Sequence, residues 1–89
     1  MIFISLGKFR KKTTKDMTDE VSKLTVDMAK KEGIRILSFY WTLGRYDTVV
    51  TMEAPNEKAA IKMNLMVSDF VSTQTMVAIP REEAIKLVS

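Results

Sequence analysis

Apolar positions change their period along this chain, and the changes mark its elements. Ile2, Ile4 and Leu6 alternate with Phe3 and Ser5, the two-residue period of a strand over residues 2–7. From Met17 the spacing lengthens. Met17, Val21, Leu24 and Met28 fall at i, i+4, i+7 and i+11, one stripe of a helix. Thr14, Asp16 or Thr18 can cap its start, Asp19 and Glu20 suit the positive end of its dipole, and Lys30 and Lys31 suit the other. Gly33 supplies the stop, so the helix is expected near 16–32.

The period of two returns in residues 34–54. Ile34, Ile36, Leu37, Phe39, Tyr40 and Trp41 form one β-rich run, and Tyr46, Val49, Val50 and Met52 form another. Gly44-Arg45 between them predicts a two-residue hairpin turn. Pro55 ends the second run and Asn56 can cap a helix over about 56–69, with Ala59, Ala60, Met63, Met66, Val67 and Phe70 as its stripe. Val71 to Ile79 is rich in β-branched residues and reads as a fourth strand. Pro80, followed by Glu82 and Glu83, opens a short last helix whose Ile85 and Val88 are expected to tuck against the body.

Strand, helix, strand, strand, helix, strand is the ferredoxin-like βαββαβ order, an α+β fold. Right-handed crossovers place both long helices on one face of a four-stranded antiparallel sheet of order 4-1-3-2. A two-residue turn sets the hairpin register. Trp41 then opposes Thr48, Phe39 opposes Val50 and Leu37 opposes Met52, an apolar set suited to the helices. Thr42 opposes Asp47, Tyr40 opposes Val49, Ser38 opposes Thr51 and Ile36 opposes Glu53 on the other face. That second face is too apolar to leave in water and too polar for a dry core. The expectation is that another copy covers it and leaves a pocket between.

The chain has 89 residues, one domain over 1–89 with a thin core that pairing would help. It contains no cysteine and no histidine. That removes disulfides, thiolate nucleophiles, imidazole bases and the Cys- or His-based metal sites, so no metal and no cofactor are expected. No apolar run reaches the length of a membrane span and no targeting signal is evident, which points to a cytoplasmic protein. Lys8, Arg10, Lys11, Lys12 and Lys15 make one basic connection, either a solvated loop or a loop facing an anion at a pocket mouth.

The run Ser38-Phe-Tyr-Trp-Thr-Leu-Gly-Arg-Tyr-Asp-Thr-Val-Val50, continued by Met52-Glu-Ala-Pro55 and preceded by the opening Phe3-Ile-Ser-Leu-Gly-Lys-Phe9, resembles the GYD domain family. That family is named for a Gly-Tyr-Asp signature. Here an arginine intervenes, in Gly44-Arg45-Tyr46-Asp47. The resemblance covers nearly the whole chain. It implies the dimeric α+β barrel, in which two sheets pack face to face, and it brings no established catalytic residues.

Several functions fit these readings. The first is a homodimer or higher homo-oligomer that binds a small molecule between its sheets, with Ser38, Tyr40, Asp47, Thr51 and Glu53 lining the pocket. The bland alternative is that Asp47 and Glu53 only serve strand ends, bonded to backbone or to Arg45 and Arg35. The second is a cofactor-free oxygenase or isomerase, with Glu53 or Asp47 as base and Tyr40 as proton donor. A third is an RNA-binding sheet; a net charge of +3 concentrated in one loop and the lack of a basic-aromatic pattern on the strands argue against it. A fourth is a purely structural assembly.

Overall fold

The computed structural model describes residues 1–88. Its elements are β1 (Ile2–Phe9), α1 (Lys15–Glu32), β2 (Arg35–Trp41), β3 (Thr48–Glu53), α2 (Glu57–Met66), β4 (Val71–Ala78) and a short α3 (Arg81–Ile85) that runs into a 3-10 turn (Lys86–Val88). The strands form one antiparallel sheet of order β2-β3-β1-β4, the expected 4-1-3-2 read from its other edge. This is the ferredoxin-like arrangement, with α1 and α2 on one face.

The helix ends follow from their capping residues. The Thr14 hydroxyl accepts from the Met17 N–H at 3.2 Å to start α1, and Gly33 ends it at φ 68° in the left-handed region. The Asn56 side chain accepts from the Ala59 N–H at 2.9 Å to start α2. Ala59 and Ala60 are both buried, and such small side chains allow α2 close to the sheet. Methionines fill what remains: Met28 and Met63 pack with Phe3, Ile34, Met52 and Ala54, and Met52 is only 2% exposed. The core is thus centred on β1 and β3, the two inner strands.

Sheet and helices make two layers, with no third among the described residues. The slab is 17 Å thick along its shortest axis. The tail does not supply a third layer either. Ile85, Leu87 and Val88 are exposed, and α3 packs chiefly on the 3-10 turn that follows it, so the expected tuck of Ile85 and Val88 against the body does not occur. Five residues of helix give this segment too short an apolar face to hold it down.

The hairpin differs from the simple expectation in two places. Its loop spans the six residues between Trp41 and Thr48, not two; the Thr42 N–H donates to the Asp47 carbonyl at 2.8 Å and the Thr42 hydroxyl to the Tyr46 carbonyl at 2.7 Å. An even residue count preserves the parity of the strands. Trp41 therefore does lie opposite Thr48, Tyr40 opposite Val49, Phe39 opposite Val50 and Ser38 opposite Thr51. Below Ser38 the ladder shifts. Leu37 stands out as a β-bulge, so Ile36 opposes Met52 and Arg35 opposes Glu53, in place of the expected Leu37–Met52 and Ile36–Glu53 pairs. The bulge places Ile36 against the core and leaves Leu37 exposed.

Candidate functional site

The sheet face away from the helices can be built row by row from the strand register. One row runs Tyr40, Val49, Leu6, Gln74. The next runs Ser38, Thr51, Ile4, Met76, and the row beyond it Arg35, Glu53, Ile2, Ala78. At the opposite end Thr42 and Asp47 close the hairpin, and Lys8 lies opposite Ser72. The centre of the face is therefore aliphatic: Leu6, Val49, Ile4 and Met76. Polar side chains flank that centre on both edge strands, and charged ones hold the two ends.

The sequence-predicted site residues distribute unevenly over this surface. Tyr40 projects from the edge strand, 64% exposed. The Ser38 and Thr51 hydroxyls bond to one another at 2.5 Å across β2 and β3, and satisfy each other beside the aliphatic centre. Glu53 sits at the far end with Arg35, Oε2 to Nη2 3.5 Å. Asp47 does something else. Its carboxylate accepts the Phe9 N–H at 2.8 Å and its own N–H donates to the Gly7 carbonyl at 2.8 Å. The side chain thus stitches the hairpin to the end of β1, where regular β1–β3 pairing stops at Gly7 and Thr48. The structure brings Ser38, Tyr40 and Thr51 together, with Asp47 and Glu53 at opposite ends of the face.

The basic connection also divides. Lys8 stands on the open face. Arg10 donates from Nε to the Ser68 carbonyl at 2.7 Å, Lys11 lies 5.6 Å over the Phe70 ring, and Lys15 pairs with Asp19 along α1. Lys12 is exposed with them at this end. Arg10 and Lys11 are therefore tied to the α2–β4 connection, and the other three are not.

Tyr46 and Gln74 escape the sequence reading. The Tyr46 hydroxyl donates to Gln74 Oε1 at 2.6 Å, a reach from the hairpin loop over β1 to the opposite edge strand. Tyr46 thereby walls one end of the open face. Its place two residues after Gly44, which takes φ 105°, is the trace of this in the sequence, since the loop conformation decides where the ring goes.

Two hollows lie on the helix side. One of about 60 Å3 sits between α1, α2 and the sheet, next to a polar chain in which Asn64 Nδ2 donates to Thr75 Oγ1 at 2.9 Å and Thr75 Oγ1 to Ser5 Oγ at 3.0 Å. A second, also about 60 Å3, lies among Phe9, Met17, Phe39 and Trp41. Both are far below the ~150 Å3 of an apolar cavity that holds benzene. No helix among the described residues is long and apolar enough to cross a membrane.

The sequence profile of the GYD domain matches residues 3–88. Among curated proteins nothing matches. Solved structures do. A protein of unknown function from Rhodopseudomonas palustris aligns at 14% identity and TM-score 0.56, over 89% of this chain and 82% of that one. Muconolactone isomerase aligns at 10% identity and TM-score 0.54, over 91% of each chain. An AsnC family transcriptional regulator from Agrobacterium tumefaciens aligns at 12% identity and TM-score 0.57, over 90% of this chain but only 52% of its own length. At such identities the likeness shows the fold alone, the ferredoxin-like α+β arrangement described above.

Proposed function

The chain belongs to the GYD domain family, and from that premise we propose that it forms a homodimer through its open sheet face and binds a small molecule between the two sheets. One observation carries this reading: the uncovered face has an aliphatic centre, Ile4, Leu6, Val49 and Met76, inside a border of polar and charged residues. That is the anatomy of an interface, with an apolar core and a polar rim. Four strands at about 4.8 Å and six to eight residues at about 3.4 Å give a flat footprint near 500 Å2. Side-chain relief raises it toward the ~800 Å2 per partner of a standard interface. The exposed tail residues Leu87 and Val88 are available to extend it.

Two such faces would not meet flush. Tyr40 and Tyr46 stand tall near one end while Ser38 and Thr51 are short, which leaves room between opposed sheets. In this reading Tyr40, Ser38 and Thr51 line the pocket, Glu53 with Arg35 borders one end, and Asp47 acts indirectly by holding the Tyr46 loop. The Lys8–Lys15 connection lies at the mouth. Turnover is not part of the proposal, because no acid–base pair converges on this face.

Sedimentation velocity at micromolar concentration tests it. The expected wild type is a dimer or a multiple of dimers, and Leu6→Arg, which plants a charge in the centre of the face, gives a folded monomer. A wild-type species of one chain would overturn the reading. A dimer that survives both Leu6→Arg and Ile4→Arg would place the interface elsewhere and overturn it equally.

A further inference from the structure

We propose that the ligand of this pocket is a small organic anion with an apolar body, its carboxylate held at the Lys8–Gln74 end of the open face. The inference rests on the pairing of open faces above and assigns the ligand's chemical class and orientation.

The two ends of the face differ in what they can offer. At one end Arg35 is already engaged by Glu53 at 3.5 Å. At the other, Lys8 takes part in none of the ion pairs among the described residues. It adjoins Gln74 on the neighbouring strand, since Lys8 lies opposite Ser72 and Leu6 opposite Gln74. The Tyr46 hydroxyl binds Gln74 through Oε1. That bond occupies the amide's acceptor and leaves the Nε2 protons to donate. Lys8 Nζ, Gln74 Nε2 and the Ser72 hydroxyl are thus three donors on adjacent strands of one face.

The local charge agrees. Lys8, Arg10, Lys11 and Lys12 belong to this end of the sheet, against Asp47 and Asp69. Asp47 is the acidic group nearest Lys8 in the register, and its carboxylate is held by the Phe9 N–H. The surplus of positive charge draws anions toward the mouth, and the low dielectric between two sheets strengthens contacts made inside.

Next to the donors comes the aliphatic bed of Leu6, Val49, Ile4 and Met76. From the Lys8 row to the Ile4 row is four residues, roughly 13 Å. Such a bed suits a monocyclic aromatic acid or an alkyl acid of up to about ten carbons, carboxylate toward Lys8 and body toward Ser38 and Thr51. A cation would meet the wrong field, and a neutral polar molecule would leave Lys8 desolvated without a partner.

The test is calorimetric titration with benzoate, phenylacetate, hexanoate and octanoate, each beside its neutral primary amide. Wild type, Lys8→Gln and Gln74→Leu are compared; both positions are exposed, and circular dichroism confirms that the variants fold. At least one acid is expected to bind about tenfold or more tightly than its amide. Lys8→Gln abolishes that preference, while Lys30→Gln, exposed in the last turn of α1 in the helix layer, keeps it. Equal binding of acids and amides, binding of no acid, or a preference that survives Lys8→Gln overturns the inference. Sedimentation of the same wild-type sample separates the two readings. A dimer that binds amides as well as acids leaves the pairing standing and removes the ligand class. A monomer removes both.

Discussion

The Asp47 carboxylate accepts the backbone N–H of Phe9, 38 residues away in sequence, at 2.8 Å. Regular β1–β3 pairing has ended two residues earlier, at Gly7, so a side chain continues the work of the ladder where backbone no longer reaches. The aspartate of the hairpin run is in this light a structural residue that anchors the loop carrying Tyr46.

Asp47→Ala should therefore destabilise the chain by about 1.5–3 kcal/mol, the range for a hydrogen bond to a charged acceptor. Asp47→Asn keeps an oxygen acceptor and should cost about half as much. Urea unfolding of the three proteins measures both. Equal stability of Asp47→Ala and wild type would show that the bond is not maintained in solution.

Gly7 is required by packing and not by its backbone angle. A Cβ there would stand 2.3 Å from Thr48 Oγ1 and 2.9 Å from Val71 Cγ1, and Thr48 and Val71 are both buried. Gly7→Ala is expected to cost roughly 1–3 kcal/mol as an overpacking change. Thr48→Ala removes the nearest clash, so the double variant should be more stable than the sum of the single effects implies. Strict additivity in the cycle would rule out the Thr48 contact as the cause.

Trp41 marks the limit of what the sequence says about burial. Alternation and the even loop put it on the helix face, where the structure has it. A core position would make Trp41→Ala cost about 3–5 kcal/mol. Yet Trp41 is 59% exposed, because β2 is an edge strand and the core gathers over β1 and β3. Its ring meets Phe9 edge-on, centroids 5.4 Å apart. The expected cost of Trp41→Ala is then about 1–2 kcal/mol, chiefly that aromatic pair and the covered fraction of the ring. Its fluorescence should be open to iodide. A blue-shifted emission that iodide cannot quench would contradict the exposure.

The same distinction runs through the rest of the chain. Period and punctuation reveal which face a residue takes, so Thr14, Gly33 and Asn56 mark helix ends correctly and Ser38, Tyr40 and Thr51 fall on the open face together. They do not reveal what the other elements leave uncovered. Ile85 and Val88 look like core residues by composition, but no neighbour is placed to receive them. Nor do they reveal a loop's path, and Tyr46 reaches Gln74 only because of that path.

The bulge at Leu37 yields a prediction in which shortening the chain is the mild change. Ile36 opposes Met52 and Ser38 opposes Thr51, so β2 spends two steps where β3 spends one, and Leu37 is the surplus. Ile36 faces the core and Ser38 the open side. Joined directly, they would already alternate as a regular strand requires. Deletion of Leu37 should therefore leave a folded domain, within about 1–2 kcal/mol of wild type, since it removes a half-exposed side chain and restores one ladder step. Deletion of Phe39 is the control. The ladder can then close only with Ser38 opposite Val50 and Leu37 opposite Thr51. That puts a hydroxyl on the helix face where an aromatic ring stood, and it breaks the Ser38–Thr51 bond. The Phe39 deletion should be the more damaging by at least about 2 kcal/mol. Thermal unfolding monitored by circular dichroism compares the two. If the Leu37 deletion unfolds as readily as the Phe39 deletion, the bulge is doing more than absorbing an extra residue, and the register of β2 below Ser38 depends on it.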